Sequence, residues 1–196
     1  RRQRQMCIRD SYKDGLQREQ FLPFLSIIKN YSTQKELSLK DDYRLKDFNK
    51  EQRLYYPLNE STLFMINKNF RELTRDKKKA IKKINTKGRD FTISSFYDGI
   101  LRFKFSDLCD KNLGAEDYIN ISNISDHIFI EEIPIFDDYN SNQQLRFITL
   151  IDILYEKKII LSLSLESDLN NLGSSTKHLQ TFKRTISRLI ELTKKT

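Results

Sequence analysis

The chain has 196 residues and a net charge of +8, with 38% hydrophobic and 32% charged residues. Its 13 Phe and 9 Tyr residues exclude a disordered tail, and its uncharged stretches are far shorter than the roughly 18 apolar residues that a membrane helix needs. The length suits one ordinary domain or two small ones. The short uncharged stretches predict that the protein has no membrane span. Two cysteines make no disulfide framework, so we expect a cytoplasmic protein.

Residues 1–11 carry four arginines against one aspartate. Back-translation of residues 5–11 gives a sequence like the adaptor that transposase-based sequencing libraries leave on read ends, so we interpret residues 1–11 as an adaptor artefact. The alternative is a native basic arm that touches nucleic acid. Without this segment the net charge falls by 3, from +8 to +5. The net charge of the remaining chain then gives little indication of which partners the protein binds.

The first half of the chain predicts two helices and a short strand. Apolar residues at helical spacing predict a helix over 18–30, and a weak alternation predicts a strand over 34–39. A second helix begins after a cap at Asn59 or Ser61. The residues predicted to line its buried face are Leu63, Ile66, Phe70 and Leu73.

A basic run follows that helix, with six Lys or Arg against one Asp over residues 75–83. We interpret it as a solvated helix end or loop, because basic clusters without interleaved aromatic residues are weak signals for nucleic-acid binding. A phosphate-binding patch is the alternative.

The second half has a more regular pattern. Residues 91–93 and 100–103 predict a hairpin that turns near Asp98 and Gly99, followed by short helices over 105–109 and 115–121. A strand over 127–130, a helix over 143–156 and a strand over 159–165 then form a βαβ unit with parallel strands, which places the domain in the α/β class. A helix over 180–192 closes the chain. Its predicted apolar face consists of Phe182, Ile186, Leu189 and Ile190.

Few side chains indicate chemistry by type and spacing alone. The two histidines and Cys109 lack metal-ligand spacing, so we predict no metal site, a buried Cys109 and a structural His127. The run over 128–132 is similar to a Walker B strand, but we interpret it as a strand end followed by acidic loop residues. The chain has no phosphate-binding loop of the form G-x-x-x-x-G-K-[ST].

Four arginines are candidates for contacts to a nucleotide: Arg18, Arg146, Arg184 and Arg188. A guanidinium can bind a γ-phosphate through two nitrogens and stabilise charge in the transition state. By position alone, each is more often a surface ion-pair partner. Arg184 and Arg188 lie four residues apart, on one side of the closing helix.

Six sequence blocks in order along the chain carry a resemblance to a known family. The blocks are YKDGLQRE at 12–19, DYR at 42–44, FKFSDLC at 103–109, GAEDY at 114–118, RFITLIDILY at 146–155 and FKRTISRLIE at 182–191. Together they resemble the C-terminal half of the ZapE family, AAA+-like ATPases linked to bacterial cell division, with mitochondrial relatives. The family usually has two arginines where this chain has Leu145 and Arg146.

The resemblance implies that residues 12–196 are the C-terminal part of a P-loop NTPase (AAA+-like) domain, with Walker A and Walker B upstream of the chain. It implies that the full-length parent is an ATPase that uses ATP and Mg²⁺. The fragment alone is then expected to hold neither ATP nor Mg²⁺ and to be inactive. Arg18 then corresponds to an arginine finger, and Arg184 or Arg188 to a sensor contact with the nucleotide.

The resemblance also implies a cytoplasmic protein with a cell-division or membrane-associated protein partner, and possible oligomers. Two other readings remain open. One is a basic interaction or nucleic-acid-binding module without catalysis, although nucleic acid is the less expected partner. The other is a decayed reading frame that keeps the fold and lacks function.

Overall fold

The structure is a computed structural model that describes residues 53–86 and 88–194, together with Pro23, Ile27 and Tyr31. The chain divides into two compact units, residues 1–41 and 42–196. In the first unit, Pro23, Ile27 and Tyr31 are helical. The rest of the helix predicted over 18–30 and the strand predicted over 34–39 lie outside the described residues.

The second unit contains six strands and five α-helices among its described residues. The strands are β1 (Leu54–Tyr55), β2 (Ala80–Thr86), β3 (Arg89–Tyr97), β4 (Ile100–Lys104), β5 (His127–Ile133) and β6 (Ile160–Leu165). The helices are α1 (Glu60–Thr74), α2 (Phe105–Cys109), α3 (Ala115–Asn123), α4 (Ser141–Glu156) and α5 (Leu179–Leu192), with a short 3-10 helix over Thr176–His178.

The strands form one sheet in the order β1-β6-β5-β4-β3-β2. β1, β6, β5 and β4 pair in parallel, while β3 and β2 continue the sheet with antiparallel pairs. The predicted βαβ unit is confirmed, because β5 and β6 are parallel neighbours joined through α4. The α/β class and the closing helix are confirmed as well, and the predicted bounds of the second-half elements agree with the structure to within a few residues.

Hydrophobic side chains cover the two faces of the sheet unequally. Successive residues of a strand point to opposite faces, so Ile128 and Ile130 lie in the main core while Phe129 lies in a second cluster. The main core unites the strands with residues of α2, α3, α4 and α5. Among the described residues, the second cluster contains four buried residues, Ile66, Phe70, Ile100 and Phe129.

Helix α1 packs over the smaller cluster. This packing explains which residues of the helix are buried as predicted and which are not. Asn59 caps the helix as predicted, since its side chain accepts the Thr62 amide at 2.9 Å. Ile66 and Phe70 are buried as predicted. Leu63 and Leu73 are 52% and 38% exposed, contrary to the prediction, because the small cluster covers only a narrow stripe of the helix.

The basic run does not form only a helix end or loop. Residues 75–79 leave α1 in a turn and an irregular segment, but residues 80–83 are the start of strand β2, so the prediction is wrong there. In the pairing with the apolar strand β3, Lys82 lies opposite Ile93 and Ile84 lies opposite Phe91. This pairing overrides the low preference of lysine for strands.

The predicted hairpin between β3 and β4 is confirmed. Its two turn residues, Asp98 and Gly99, have φ angles of 45° and 82°. Two consecutive positive φ angles are typical of the tight turns that match the twist of antiparallel strands.

Backbone hydrogen bonds join the two ends of the described body. The Arg53 amide donates to the Thr193 carbonyl at 2.8 Å, and the Leu163 amide donates to the Arg53 carbonyl at 2.9 Å. The Arg53 guanidinium also donates to the Lys194 carbonyl at 2.6 Å. Residues 53 and 193, which are far apart in sequence, are therefore neighbours beside β1 and β6.

Candidate functional site

The two arginines predicted as sensor candidates meet a carboxylate between α4 and α5. Asp152 on α4 pairs with Nη1 of Arg188 through one oxygen, and its other oxygen lies 3.3 Å from Nη2 of Arg184. Residues four apart on a helix lie on the same side, as the sequence predicts for these arginines. The structure thus brings Arg184 and Arg188 together on Asp152.

The two arginines have different surroundings. The side chain of Arg188 is 6% exposed, and its guanidinium lies over the Tyr155 ring at 4.9 Å from the ring centre. The hydroxyl of Tyr155 donates to Glu191 at 2.9 Å, which adds a second link between the helices. The side chain of Arg184 is 53% exposed. Arg188 therefore packs within the helix pair, whereas the Arg184 guanidinium faces solvent in part.

Sequence reasoning did not identify Asp152 as a functional residue. A signal was present, because Asp152 is a charged residue beside the apolar positions Ile148 and Ile151 of a helix that packs on the core. A buried or half-buried charge of this kind is found paired in proteins. The partner could not be named, because Arg184 and Arg188 are more than 30 residues away.

The Walker B-like run ends in two glutamates, each held in an ion pair. Glu131 is buried and pairs with Nε of Arg102, whose Nη2 donates to Asn67 at 2.7 Å. Glu132 lies 2.8 Å from Nζ of Lys104, and this bond raises the pKa of the lysine. Both glutamates belong to strand β5, so the interpretation as loop residues after a strand end is wrong.

A cleft of about 190 Å³ opens beside these glutamates. Glu131, Glu132 and Ser164 line its polar side, and Leu58 and Leu63 line its apolar side with the start of α1. Glu132 has a φ of 60° at an irregular point of the β5–β6 pairing, and its amide donates to Ser164 at 3.0 Å. The cleft lies where ligands bind in open α/β sheets, beside the carboxyl ends of parallel strands.

The remaining candidates have structural surroundings. Cys109 is fully buried, and burial raises the pKa of its thiol far above the usual range, so the predicted buried cysteine is confirmed. Nη1 of Arg146 donates to the Cys109 carbonyl at 2.9 Å. His127 is buried with Nε2 at 2.9 Å from the Ser162 hydroxyl, and burial lowers its pKa to about 4. The prediction of a structural histidine is confirmed.

Some predictions concern absences or lie elsewhere in the chain. Over the described residues, no group of three or more His, Cys, Asp or Glu side chains could hold a metal ion. Within the same part of the chain, no helix has the length and apolarity to cross a membrane. Arg18, the predicted arginine finger, lies outside the described residues.

Comparison with known proteins gives a consistent set of relatives. The chain is 32% identical over 164 residues to the protein named "Lactation elevated protein 1 homolog B" from Danio rerio, covering 82% of this chain and 33% of that protein. It is 26% identical over 181 residues to "Cell division protein ZapE" from Escherichia coli K12, covering 92% of this chain and 48% of that protein. The chain thus spans about a third to a half of these relatives. No solved structure matches it.

The family model described as AFG1-like ATPase matches residues 6–196, which include every described residue of the helix pair and the cleft. This match and the ZapE relative confirm the resemblance that the six sequence blocks carry. The chain therefore belongs to the AFG1-like ATPase family.

Proposed function

We propose that this chain is the C-terminal part of a cytoplasmic AAA+-like ATPase, and that the full-length protein binds and hydrolyses ATP with Mg²⁺. The observation that carries the proposal is the family match over residues 6–196, which includes the arginine pair on α5. The Walker A and Walker B motifs belong to the upstream half of the parent, so the fragment alone has no ATPase activity. When bound, Mg²⁺ neutralises charge on the phosphates during transfer to water.

The chemistry of Arg184 suits a contact with a nucleotide phosphate. A guanidinium offers five donors in a planar fork, and Asp152 fixes one of its nitrogens at 3.3 Å while the side chain stays half exposed. We assign the sensor contact to Arg184. Arg188 is the positioning residue in this proposal, because it packs against Asp152 and Tyr155 and holds the orientation of α5.

The experiment that tests the sensor role is steady-state ATP hydrolysis by the full-length protein with Arg184→Ala, Arg184→Lys and the neighbouring control Lys183→Ala. We expect Arg184→Ala to lower kcat/KM at least tenfold, since charge-assisted contacts to phosphate contribute about 1.5–3 kcal/mol. Arg184→Lys should recover part of the loss, and Lys183→Ala should stay within about twofold of the wild type. Equal kcat/KM in Arg184→Ala and Lys183→Ala would refute the sensor role.

Arg18 is the arginine finger in this proposal, on the strength of its place in the first sequence block. An arginine finger contributes about 10³–10⁵ in rate, so Arg18→Ala in the full-length protein should reduce ATP turnover by orders of magnitude. Turnover within about twofold of the wild type would exclude this role. A full-length protein that hydrolyses no ATP would refute the ATPase proposal as a whole.

We also propose that the full-length protein acts with a division-associated or membrane-associated protein partner, as an oligomer in which one subunit's arginine can reach its neighbour's nucleotide. The relative named "Cell division protein ZapE" supports the part of this proposal that concerns division. Imaging of dividing cells that lack the full-length protein tests the role in division, and normal division would contradict it.

A further inference from the structure

Strand β2 lies at one end of the strand order in the sheet. It is the last strand in the order, and within the part of the chain that the structure describes no strand pairs with its outer side. It is seven residues long, and five of these residues are exposed. An open edge of this kind presents backbone N–H and C=O groups that can pair with another extended chain.

The surroundings of this edge are strongly basic. Residues 75–83 carry six Lys or Arg against one Asp. Lys77 pairs with Asp98 at 2.9 Å, and Nζ of Lys82 lies 5.1 Å from the centre of the Phe96 ring. Pairing with a second copy of the same edge would bring like charges together, which is unfavourable. The charge therefore favours an acidic partner.

The side chains along β2 determine which types of residue an added strand would carry, and in which order. The register shift near Ala80 places the extra residue on β3, so the alternation along β2 is unbroken. Thr86 is buried and Ile84 half-buried, so Lys82 and Ile84 lie on the inner face while Ile81 and Lys83 lie on the other. Each face of the edge thus offers one isoleucine and one lysine.

Ile81 distinguishes this edge from one that is only protected against aggregation. Lysine alone at an edge strand is a common way to prevent unwanted pairing. Here a large apolar side chain, Ile81, is 68% exposed and shares its face of the strand with Lys83. An exposed isoleucine would work against such protection, but it gives a specific partner an apolar contact.

We infer that β2 is a docking edge for an extended acidic segment of a partner protein, which adds to the sheet as a seventh strand. The matching segment has the order apolar, acidic, acidic, apolar, so that its acids face Lys82 and Lys83 and its apolar residues face Ile81 and Ile84. This inference is independent of the proposed ATPase function, since none of these residues belongs to the arginine pair.

The test is fluorescence anisotropy with the whole 196-residue chain and a labelled peptide of the length of β2 whose central residues are Val-Glu-Glu-Val. A second peptide carries the same side chains with N-methyl groups on alternate backbone amides, which removes strand pairing and keeps the charge. We expect the first peptide to bind at least tenfold more tightly than the second. Hydrogen exchange should show new protection of amides in residues 80–86 when the first peptide is bound.

Charge-reversed variants provide the matched comparison. Lys82→Glu together with Lys83→Glu should weaken binding of the first peptide at least tenfold, because two attractive pairs become repulsive. The control, Lys177→Glu with Lys183→Glu, makes the same change in net charge on two exposed lysines in the 3-10 helix and α5, and should stay within about twofold. Both variants change exposed side chains, and circular dichroism checks that each is folded.

Three results would overturn the inference. Equal binding of the two peptides would make the surface a general polyanion patch without strand addition. Tighter binding of a single-stranded oligonucleotide than of the first peptide, lost in Lys82→Glu with Lys83→Glu, would assign the surface to nucleic acid. Failure of the first peptide to bind at low salt, where charge attraction is strongest, would remove the docking edge altogether.

Discussion

His127 gives the protein a stability that depends on pH. Its ring is buried, lies 2.9 Å from the Ser162 hydroxyl through Nε2, and stacks on Phe129. Burial lowers its pKa from 6.5 to about 4, so the folded protein keeps the ring neutral while the unfolded chain binds a proton near its ordinary pKa. The contribution of His127 to the free energy of unfolding is complete at pH values above the pKa in the unfolded chain. It is lost as the pH falls toward the pKa in the folded protein.

The size of the effect follows from the two pKa values. Their difference of 6.5 − 4 = 2.5 pH units corresponds to about 3 kcal/mol of unfolding free energy. About 2 kcal/mol of this is lost between about pH 7 and about pH 5. The substitution His127→Gln keeps a side chain that can hydrogen-bond Ser162 and removes the titration, so it should remove this part of the pH dependence.

The assay is urea unfolding followed by far-UV circular dichroism, because the chain contains no Trp. The free energy of unfolding is compared between wild type and His127→Gln at about pH 7 and about pH 5, and we expect the difference between the proteins to change by about 2 kcal/mol. His178→Gln is the control, since His178 lies in the 3-10 helix and outside the hydrophobic core. Parallel pH profiles for wild type and His127→Gln would refute the reasoning.

Three further substitutions test the packing. Asp152→Asn removes the charge partner of the buried Arg188 and should cost about 2 kcal/mol of unfolding free energy, less than for a fully buried pair because Asp152 is a third exposed. Phe129→Ala empties a fully buried position in the small cluster and should cost about 4 kcal/mol. Gly173→Ala places a Cβ against the Phe136 carbonyl oxygen at a φ of 70°, and should cost about 2 kcal/mol. Urea unfolding measures all three.

Each of these substitutions has a matched control in the same chain. Glu72→Gln changes an exposed carboxylate in an ion pair, Phe64→Ala removes a mostly exposed ring, and Gly114→Ala adds a Cβ that meets no atom within 4 Å. We expect each control to shift the unfolding free energy by less than about 0.5–1 kcal/mol. If a control changed the free energy of unfolding as much as its partner substitution, this result would contradict the role given to that site.

Local patterns in the sequence predict much of the second half of this fold. The βαβ unit is predictable because its strands are short apolar runs and its helix carries a clear apolar face, so tertiary contacts and local preference agree. The cap at Asn59 and the turn at Asp98 and Gly99 are predictable because each depends on one or two residue types in sequence.

Features that depend on distant contacts are not predictable in this way. Helical spacing predicts that Leu63 and Leu73 are buried, but only the small cluster at Phe129 decides how wide the buried stripe of α1 is. Lysines in β2 become strand residues only because β3 lies beside them. The contact between Asp152 and the arginines of α5 depends on how α4 and α5 pack against each other. The spacing of apolar residues within each helix does not predict this packing.

The hydrogen bonds that join Arg53 to Thr193 and Lys194 hold the residue before β1 beside the end of α5. This closeness suits circular permutation of residues 53–194: linking residues 53 and 194 and opening the chain in the β3–β4 turn would preserve every other connection between strands.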